Sequence, residues 1–284
     1  MNIKKSGVAY SQIVSISEKL KELSKQTGQE YLFLQRGINA VCLIDLSEVV
    51  KQIDFNSPAI QFYPLNRGRS DLRQAINNEY FNGKNTIDKL LITPSASTAI
   101  DLTAQILNVR KYFVSTFYWG TYIKILSIRN QQYDFYDSYE EIRNNLHKFK
   151  NSAVIICDPN NPLGDKVDDE QMLDLIYLLN QNDIVVIFDS PYRKLFINGT
   201  DTLYEKLMPL KNVIIIESFS KSVGLSGQRA AFLHCNHEQF INEANIRLLF
   251  ETAGTNTFAQ ILIRELLTTP AGRKAVDDFK KKTV

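Results

Sequence analysis

Cysteine is scarce in this 284-residue sequence: Cys42, Cys157 and Cys235 lie far apart and are odd in number, which argues against a disulfide framework or a zinc ribbon. Long apolar runs are missing too, and no stretch approaches the roughly 18 residues that a membrane helix needs. The segment Met1 to Tyr10 has lysines but no apolar stretch after them, so a cleaved signal peptide is not expected and a reducing cytoplasm is the implied compartment. Charge of one sign is not in excess: 33 Lys and Arg face 31 Asp and Glu, leaving +2, too even a balance to imply a nucleic-acid partner. With repeats and low-complexity tracts also absent, what remains is the ordinary composition of a folded enzyme or binding domain.

The chain opens with Ile13, Ile16, Leu20 and Leu23 at helical spacing, an amphipathic helix over Tyr10 to Gln26 expected on a surface or against a partner. From Leu90 onward, short apolar runs alternate with helical stretches: Leu90–Thr93, Tyr112–Ser115, Tyr133–Tyr136, Ala153–Cys157, Ile184–Phe188, Val213–Glu217 and Arg229–His234. This pattern predicts an α/β fold with a mainly parallel sheet. The runs at 154–156, 184–187 and 213–216 are continuously apolar, as in central strands covered by helices on both faces. Asp168 and Asp169 precede a helix with Met172, Leu175, Ile176 and Leu179 on one stripe, acidic groups at its positive end. The run Lys280-Lys281-Lys282 reads as a solvated face.

Ligands of open α/β sheets bind beyond the carboxyl ends of strands. Four such ends carry chemistry. Residues 93–99 (T-P-S-A-S-T-A) place small residues at a helix start, where free amides suit an anion; taken alone, small residues packing a tight turn explain the segment better. Residues 158–164 (D-P-N-N-P-L-G) fit a turn, with Asn161 either functional or satisfying backbone. Asp189, ahead of Ser190, Pro191 and Tyr192, is a carboxylate leaving a buried strand, which calls for a cation or hydrogen bonds, or for a capping role. Lys221 lies among Ser218, Ser220 and Ser222 and ahead of Gly224, Gly227 and Arg229, an amine nucleophile with phosphate-binding company, or a solvated loop lysine. His234 and His237 flank Cys235, but no further ligand stands near, so a metal is not expected.

Taken together, these segments resemble the class I and II aminotransferases, pyridoxal-phosphate enzymes of fold type I. Ser218 to Arg229 matches S-x-S-K-x-x-G-x-x-G-x-R; 158–164 matches N-P-N-N-P-T-G with Asp158 for the first Asn and Leu163 for Thr; Asp189 to Tyr192 matches D-x-x-Y. Tyr63 to Arg73 keeps the spacing Y-x-x-x-x-G-x-x-x-L-R, and Gly37-Ile38-Asn39 resembles a G-x-N near the N-terminus, so the resemblance runs from about Leu34 onward.

The resemblance implies that Lys221 forms a Schiff base with pyridoxal 5'-phosphate and that Asp189 pairs with the pyridine nitrogen. It implies that Asn161 and Tyr192 bond the 3'-oxygen, and that the Ala96 and Ser97 amides, Ser218, Ser220 and Arg229 hold the phosphate. Tyr118 falls where the family stacks an aromatic on the ring, Gly37 lies by the substrate with Asn161, and Tyr63 reaches the cofactor phosphate of a neighbouring subunit in a homodimer. The implied layout is an N-terminal arm and small-domain start over 1–60, a large cofactor-binding domain over 61–267, and the start of an interdomain helix over 268–284, the C-terminal small domain being largely absent. That region usually supplies the arginine for the substrate carboxylate. The expected reaction is transamination between an amino acid and a 2-oxo acid, catalysed by Lys221, Asp189 and Tyr192. The alternatives are another reaction with the same cofactor (lyase, decarboxylase, racemase or condensing), or a split, non-catalytic homologue served by a second chain.

Overall fold

The structure is a computed structural model that describes residues 1–33, 37, 39, 42–197 and 201–283. Leu34 and Ile38, which belong to the sequence resemblance, lie outside the described residues.

Seven strands form one sheet: β1 (Leu90–Thr93), β2 (Lys111–Ser115), β3 (Tyr133–Tyr136), β4 (Ser152–Cys157), β5 (Val185–Asp189), β6 (Val213–Ser218) and β7 (Ala231–Cys235). Their order is β1-β7-β6-β5-β4-β2-β3. The pairs from β3 through β2, β4 and β5 to β6 are parallel, whereas β7 runs antiparallel to both β6 and β1. β1, β2, β4, β5 and β6 therefore all end on the same edge.

Each strand sends alternate side chains to opposite faces, and both faces are covered. Val154, Ile156, Val186, Phe188, Val213 and Ile215 join one core with Leu72 and Ile76 of the helix Ser70–Phe81, Met172 and Ile176 of the helix Asp169–Gln181, and Leu262 and Leu266 of the helix Thr257–Thr268. Ala153, Ile155, Ile187, Ile214 and Ile216 join a second core with Ala99 and Ile100 of the helix Ala96–Ile106, Ile125 and Leu126 of the helix Thr121–Ile128, and Phe240, Ile241 and Ala244 of the helix Glu238–Thr252. Continuous rather than alternating apolar runs are what this two-sided burial requires. Each fully buried Ile, Val or Phe contributes about 1.5–3 kcal/mol to holding the layers together.

Asp168 caps the helix Asp169–Gln181, accepting from the amides of Glu170 (2.9 Å) and Gln171 (3.2 Å). The amphipathic N-terminal helix spans Gln12–Thr27, and Ile13, Ile16 and Leu23 on it are exposed. At the other end of the chain the helix Pro270–Thr283 packs on Thr257–Thr268. Its Phe279 lies so close to Gly224 that a Cβ there would come within 2.8 Å of the ring, and Gly224 has φ 67°; glycine is demanded at this point of the Lys221 loop on both counts.

One buried cation organises the turns beyond β4 and β5. Arg193 is inaccessible to solvent and donates to Asp201 (2.6 and 2.9 Å) and Asp169 (2.9 and 2.6 Å), with Asp158 at 3.5 Å. Asp158 also accepts from the Val167 amide (3.0 Å), and its own amide donates to the Asp189 carbonyl (3.2 Å). The aspartate at 158 is thus one of three carboxylates about Arg193, the most distant of them, and through it the turn carrying Asn161 is fastened to the end of β5. Replacing Arg193 with Met leaves buried Asp158 and Asp201 without their cation, Asp169 keeping Lys166, and is expected to destabilise the protein by about 3–5 kcal/mol. Chemical denaturation of Arg193→Met checks this; an unchanged midpoint would contradict it.

Candidate active site

A cleft of about 240 Å³ opens where the parallel strands end, lined among others by Gly37, Ala96, Ser97, Trp119, Tyr122, Asn161, Asp189, Tyr192, Ser218, Ser220, Lys221 and Arg229. Five separate strand ends deliver these groups, so the sheet itself sets their spacing.

The β1 end contributes an anion-binding start of helix. Ser95 caps Ala96–Ile106 by accepting from the Thr98 amide (3.0 Å). Ala96 and Ser97 are the first two helical residues, whose N–H groups have no carbonyl within the helix to bond and are free to meet an anion. From the β6 end, Ser218 caps the short helix Phe219–Ser222, and Ser218 and Ser220 line the same cleft. Arg229, in the left-handed region at φ 52°, donates to the Ser226 carbonyl (2.9 Å) and supplies the cation.

Asp189 is the last residue of β5 and is buried. Its Oδ2 accepts from the Tyr122 hydroxyl at 2.5 Å, while Oδ1, equally buried, has no hydrogen-bond partner among the described residues. Burial pushes the carboxyl up to about 6, against the opposing effect of the Tyr122 hydroxyl. A carboxylate in this state is stabilised by any cationic N–H that reaches its open oxygen.

Lys221 stands opposite the glycine of the N-terminal segment: its Nζ donates to the Gly37 carbonyl and sits 5.8 Å from the centre of the Tyr192 ring. Burial, reinforced by the positive charge of Arg229, draws the amine below the usual lysine range, which favours the neutral, nucleophilic form. Asn161 donates to the Tyr192 hydroxyl at 3.4 Å, so these two polar groups meet in the cleft. Burial raises the Tyr192 phenol to about 12.

The residues singled out in the sequence divide clearly. Gly37, Ala96, Ser97, Asn161, Asp189, Tyr192, Ser218, Ser220, Lys221 and Arg229 all line one cleft. Tyr118 does not: its ring stacks on Phe135 of β3 (centroids 5.5 Å apart, planes at 26°), and the next residue, Trp119, faces the cleft. In the turn after β2, where no helical or strand period distinguishes neighbouring aromatics, it is therefore Trp119, one residue beyond the expected Tyr118, that lines the cleft. Tyr63 also lies away from the cleft, 89% exposed on a turn beside exposed Phe62 and Leu65. Tyr122 was not anticipated. It follows Trp119 by three residues, and the two rings meet edge to face at 5.5 Å, so helical spacing from the aromatic run was the available signal.

No group of three or more His, Cys, Asp or Glu able to hold a metal occurs among the described residues. His234 is buried against Phe81 and kept neutral, its ring drawn down to about 3 by burial, and His237 caps the helix Glu238–Thr252. Likewise no helix among the described residues is long and apolar enough to cross a membrane.

The cleft therefore offers amides, hydroxyls and a guanidinium for a phosphate, an open carboxylate oxygen for a protonated nitrogen, a polar pair for a hydroxyl and an amine for a carbonyl carbon. These are the functional groups of pyridoxal phosphate.

Comparison with known proteins agrees. Over 139 residues the chain is 29% identical to a histidinol-phosphate aminotransferase 2 of Bacillus cereus, covering 47% of this chain and 35% of that protein. Over 149 residues it is 29% identical to histidinol-phosphate aminotransferase of Campylobacter concisus, covering 49% and 36%. The matched segment thus spans about a third of the length of these curated relatives. Among solved structures, aspartate aminotransferase from Thermus thermophilus with maleate superposes with a TM-score of 0.82 at 19% identity, over 99% of this chain and 77% of that one. An aminotransferase from Mycobacterium tuberculosis gives 0.78 at 17% identity, over 98% and 74%. These two likenesses establish the fold, that of the aminotransferases. Residues 34–283 match the family described as aminotransferase class I and II, whose members generally depend on pyridoxal phosphate, and the chain belongs to that family.

Proposed function

We propose that this chain binds pyridoxal 5'-phosphate through a Schiff-base link to Lys221 and moves an amino group between an amino acid and a 2-oxo acid. The observation that carries the reading is Asp189: a buried carboxylate whose Oδ1 is unsatisfied, in the same cleft as a lysine whose burial favours its neutral form. When bound, the cofactor supplies a protonated pyridine ring that draws electrons from the substrate's α-carbon.

The chain's own residues supply the rest. Asp189 holds the proton at the ring nitrogen, with Tyr122 fixing its second oxygen. Asn161 and Tyr192 bond the ring hydroxyl oxygen. The Ala96 and Ser97 amides, Ser218, Ser220 and Arg229 hold the phosphate, and Trp119 takes the aromatic role expected of Tyr118. Lys221 Nζ, when free of the cofactor, would be the base that takes the substrate's Cα proton and delivers it to the cofactor's former aldehyde carbon, across the substrate nitrogen. The Gly37 backbone, which already meets Lys221 Nζ, borders the substrate's place. The activities named for the relatives make L-histidinol phosphate and L-aspartate the first amino donors to assay.

The reading extends to a homodimer. Tyr63 is exposed beside Phe62 and Leu65, and Asn66 of the same turn bonds Asn245 on the helix that carries exposed Phe250. An apolar face of this kind suits a second copy, which would bring Tyr63 to the partner's phosphate.

Two outcomes test this. Borohydride reduction of the protein loaded with pyridoxal phosphate, followed by peptide mass mapping, is expected to place the cofactor's mass on the peptide containing Lys221 and on none in Lys221→Ala; modification elsewhere, or none, contradicts the assignment. In sedimentation velocity the protein should run as a dimer that Leu65→Asp dissociates, while Tyr63→Phe leaves the dimer intact but weakens cofactor retention about tenfold, the loss of one hydrogen bond to a charged group. A monomer with full cofactor affinity would sink the two-chain site.

A further inference from the structure

Glu217 is the penultimate residue of β6, four positions before Lys221, and is inaccessible to solvent. Its Oε2 lies 2.5 Å from the Tyr204 hydroxyl, and that hydroxyl lies 2.5 Å from Ser190 Oγ. Ser190 directly follows Asp189, is itself inaccessible, and can donate to the Ile216 carbonyl at 3.4 Å, on the strand that bears Glu217. Three side chains thus close a loop between the end of β5, which holds Asp189, and the end of β6, which leads to Lys221.

The loop contains no cation. Glu217 Oε1 has no partner among the described residues. The surroundings are Tyr80 from the helix Ser70–Phe81, Tyr204, and the rings of Phe219 and Phe232 about Tyr80. Of the charged groups that act on Glu217, Lys194 is paired with Glu79 at 3.2 Å and lies over the Tyr80 ring, while Asp189 and Asp201 are negative. Lys280, on the last helix, also interacts electrostatically with Glu217, and Arg193, held by Asp201 and Asp169, lies over the Tyr204 ring at 5.9 Å. A buried carboxylate with one hydrogen bond and no salt bridge among the described residues, facing two like charges against the pull of Lys194, is costly; a neutral acid at the same place costs less.

We propose that Glu217 is kept as a neutral carboxylic acid whose proton orders the chain Glu217 to Tyr204 to Ser190 to the Ile216 carbonyl, making Glu217 a positioning residue for the two strand ends that carry Asp189 and Lys221. In this arrangement each hydroxyl donates once and accepts once: the acid donates to Tyr204, Tyr204 to Ser190, and Ser190 to the backbone. With an ionised Glu217 the chain reverses: the Ser190 hydroxyl donates to Tyr204 instead of the Ile216 carbonyl, which keeps only the Ser190 amide (3.0 Å). The direction is supported by burial, which pushes the Glu217 carboxyl up to about 8, the Tyr204 hydrogen bond and Lys194 opposing. The functional meaning of the two strand ends rests on the cofactor reading above; the protonation and the tie do not.

Infrared difference spectroscopy of the protein at pH 7 is expected to show a protonated-carboxyl band that is missing in Glu217→Gln and fades with a midpoint near pH 8. Amide hydrogen exchange at 190–193 and 218–222 should be unchanged in Glu217→Gln, which mimics the neutral acid, and about tenfold faster in Glu217→Leu, which removes the tie. Absence of the band, or exchange in Glu217→Gln as fast as in Glu217→Leu, overturns the proposal, as does Glu217→Leu exchanging like wild type. Pyridoxal phosphate titrated into the same three proteins separates the two readings: failure of the wild type to bind it counts against the proposed function, whereas equal binding by wild type and Glu217→Leu counts against positioning.

Discussion

The open oxygen of Asp189 is the constraint around which the cleft is built. A carboxylate at the end of a central strand is desolvated by construction, and among the described residues only one of its two oxygens meets a donor, the Tyr122 hydroxyl. Leaving a buried charged oxygen unpaired costs more than an ordinary hydrogen bond contributes, and a ligand with a cationic N–H, as proposed above, would offset that cost. The surrounding groups are those such a ligand would require: a lysine amine whose burial favours its neutral form, and a cation and free helix amides for a phosphate.

Two buried networks keep that oxygen and that lysine in register, and they solve different electrostatic problems. Arg193 gathers Asp158, Asp169 and Asp201, neutralising charge by charge and binding the Asn161 turn to the end of β5. The Ser190–Tyr204–Glu217 loop has no cation and ties β5 to β6 through hydroxyls. Pairing in one place and protonation in the other are the two ways a protein can hold acidic groups out of water.

Much of this was legible in the chain. The runs at 154–156, 184–187 and 213–216 read as strands covered on both faces because two-sided burial removes polar positions altogether, and the polar residues directly after them read as the site because strand ends are where parallel sheets open. What escaped was whatever depends on distant partners. Asp158 looked like a departure from a motif until Arg193, 35 residues on, supplied the reason. Tyr204 and Glu217 carry no local signal, since only the packing of a helix on the sheet brings them together. That Trp119 rather than Tyr118 lines the cleft was not legible, because an irregular turn has no period to say which of two adjacent rings faces inward.

The most direct test of the account is the affinity for pyridoxal phosphate of wild type and Asp189→Asn between pH 5 and 8. Binding needs Asp189 ionised, and its carboxyl sits at about 6 before the ligand arrives, so wild-type affinity should fall as the pH drops through that value. Asp189→Asn should bind on the order of a hundredfold more weakly at pH 8, as expected when one member of a buried charge pair is lost, and should lack that fall. Equal affinities with the same pH profile would show that the open oxygen of Asp189 is not what the cleft is built to satisfy.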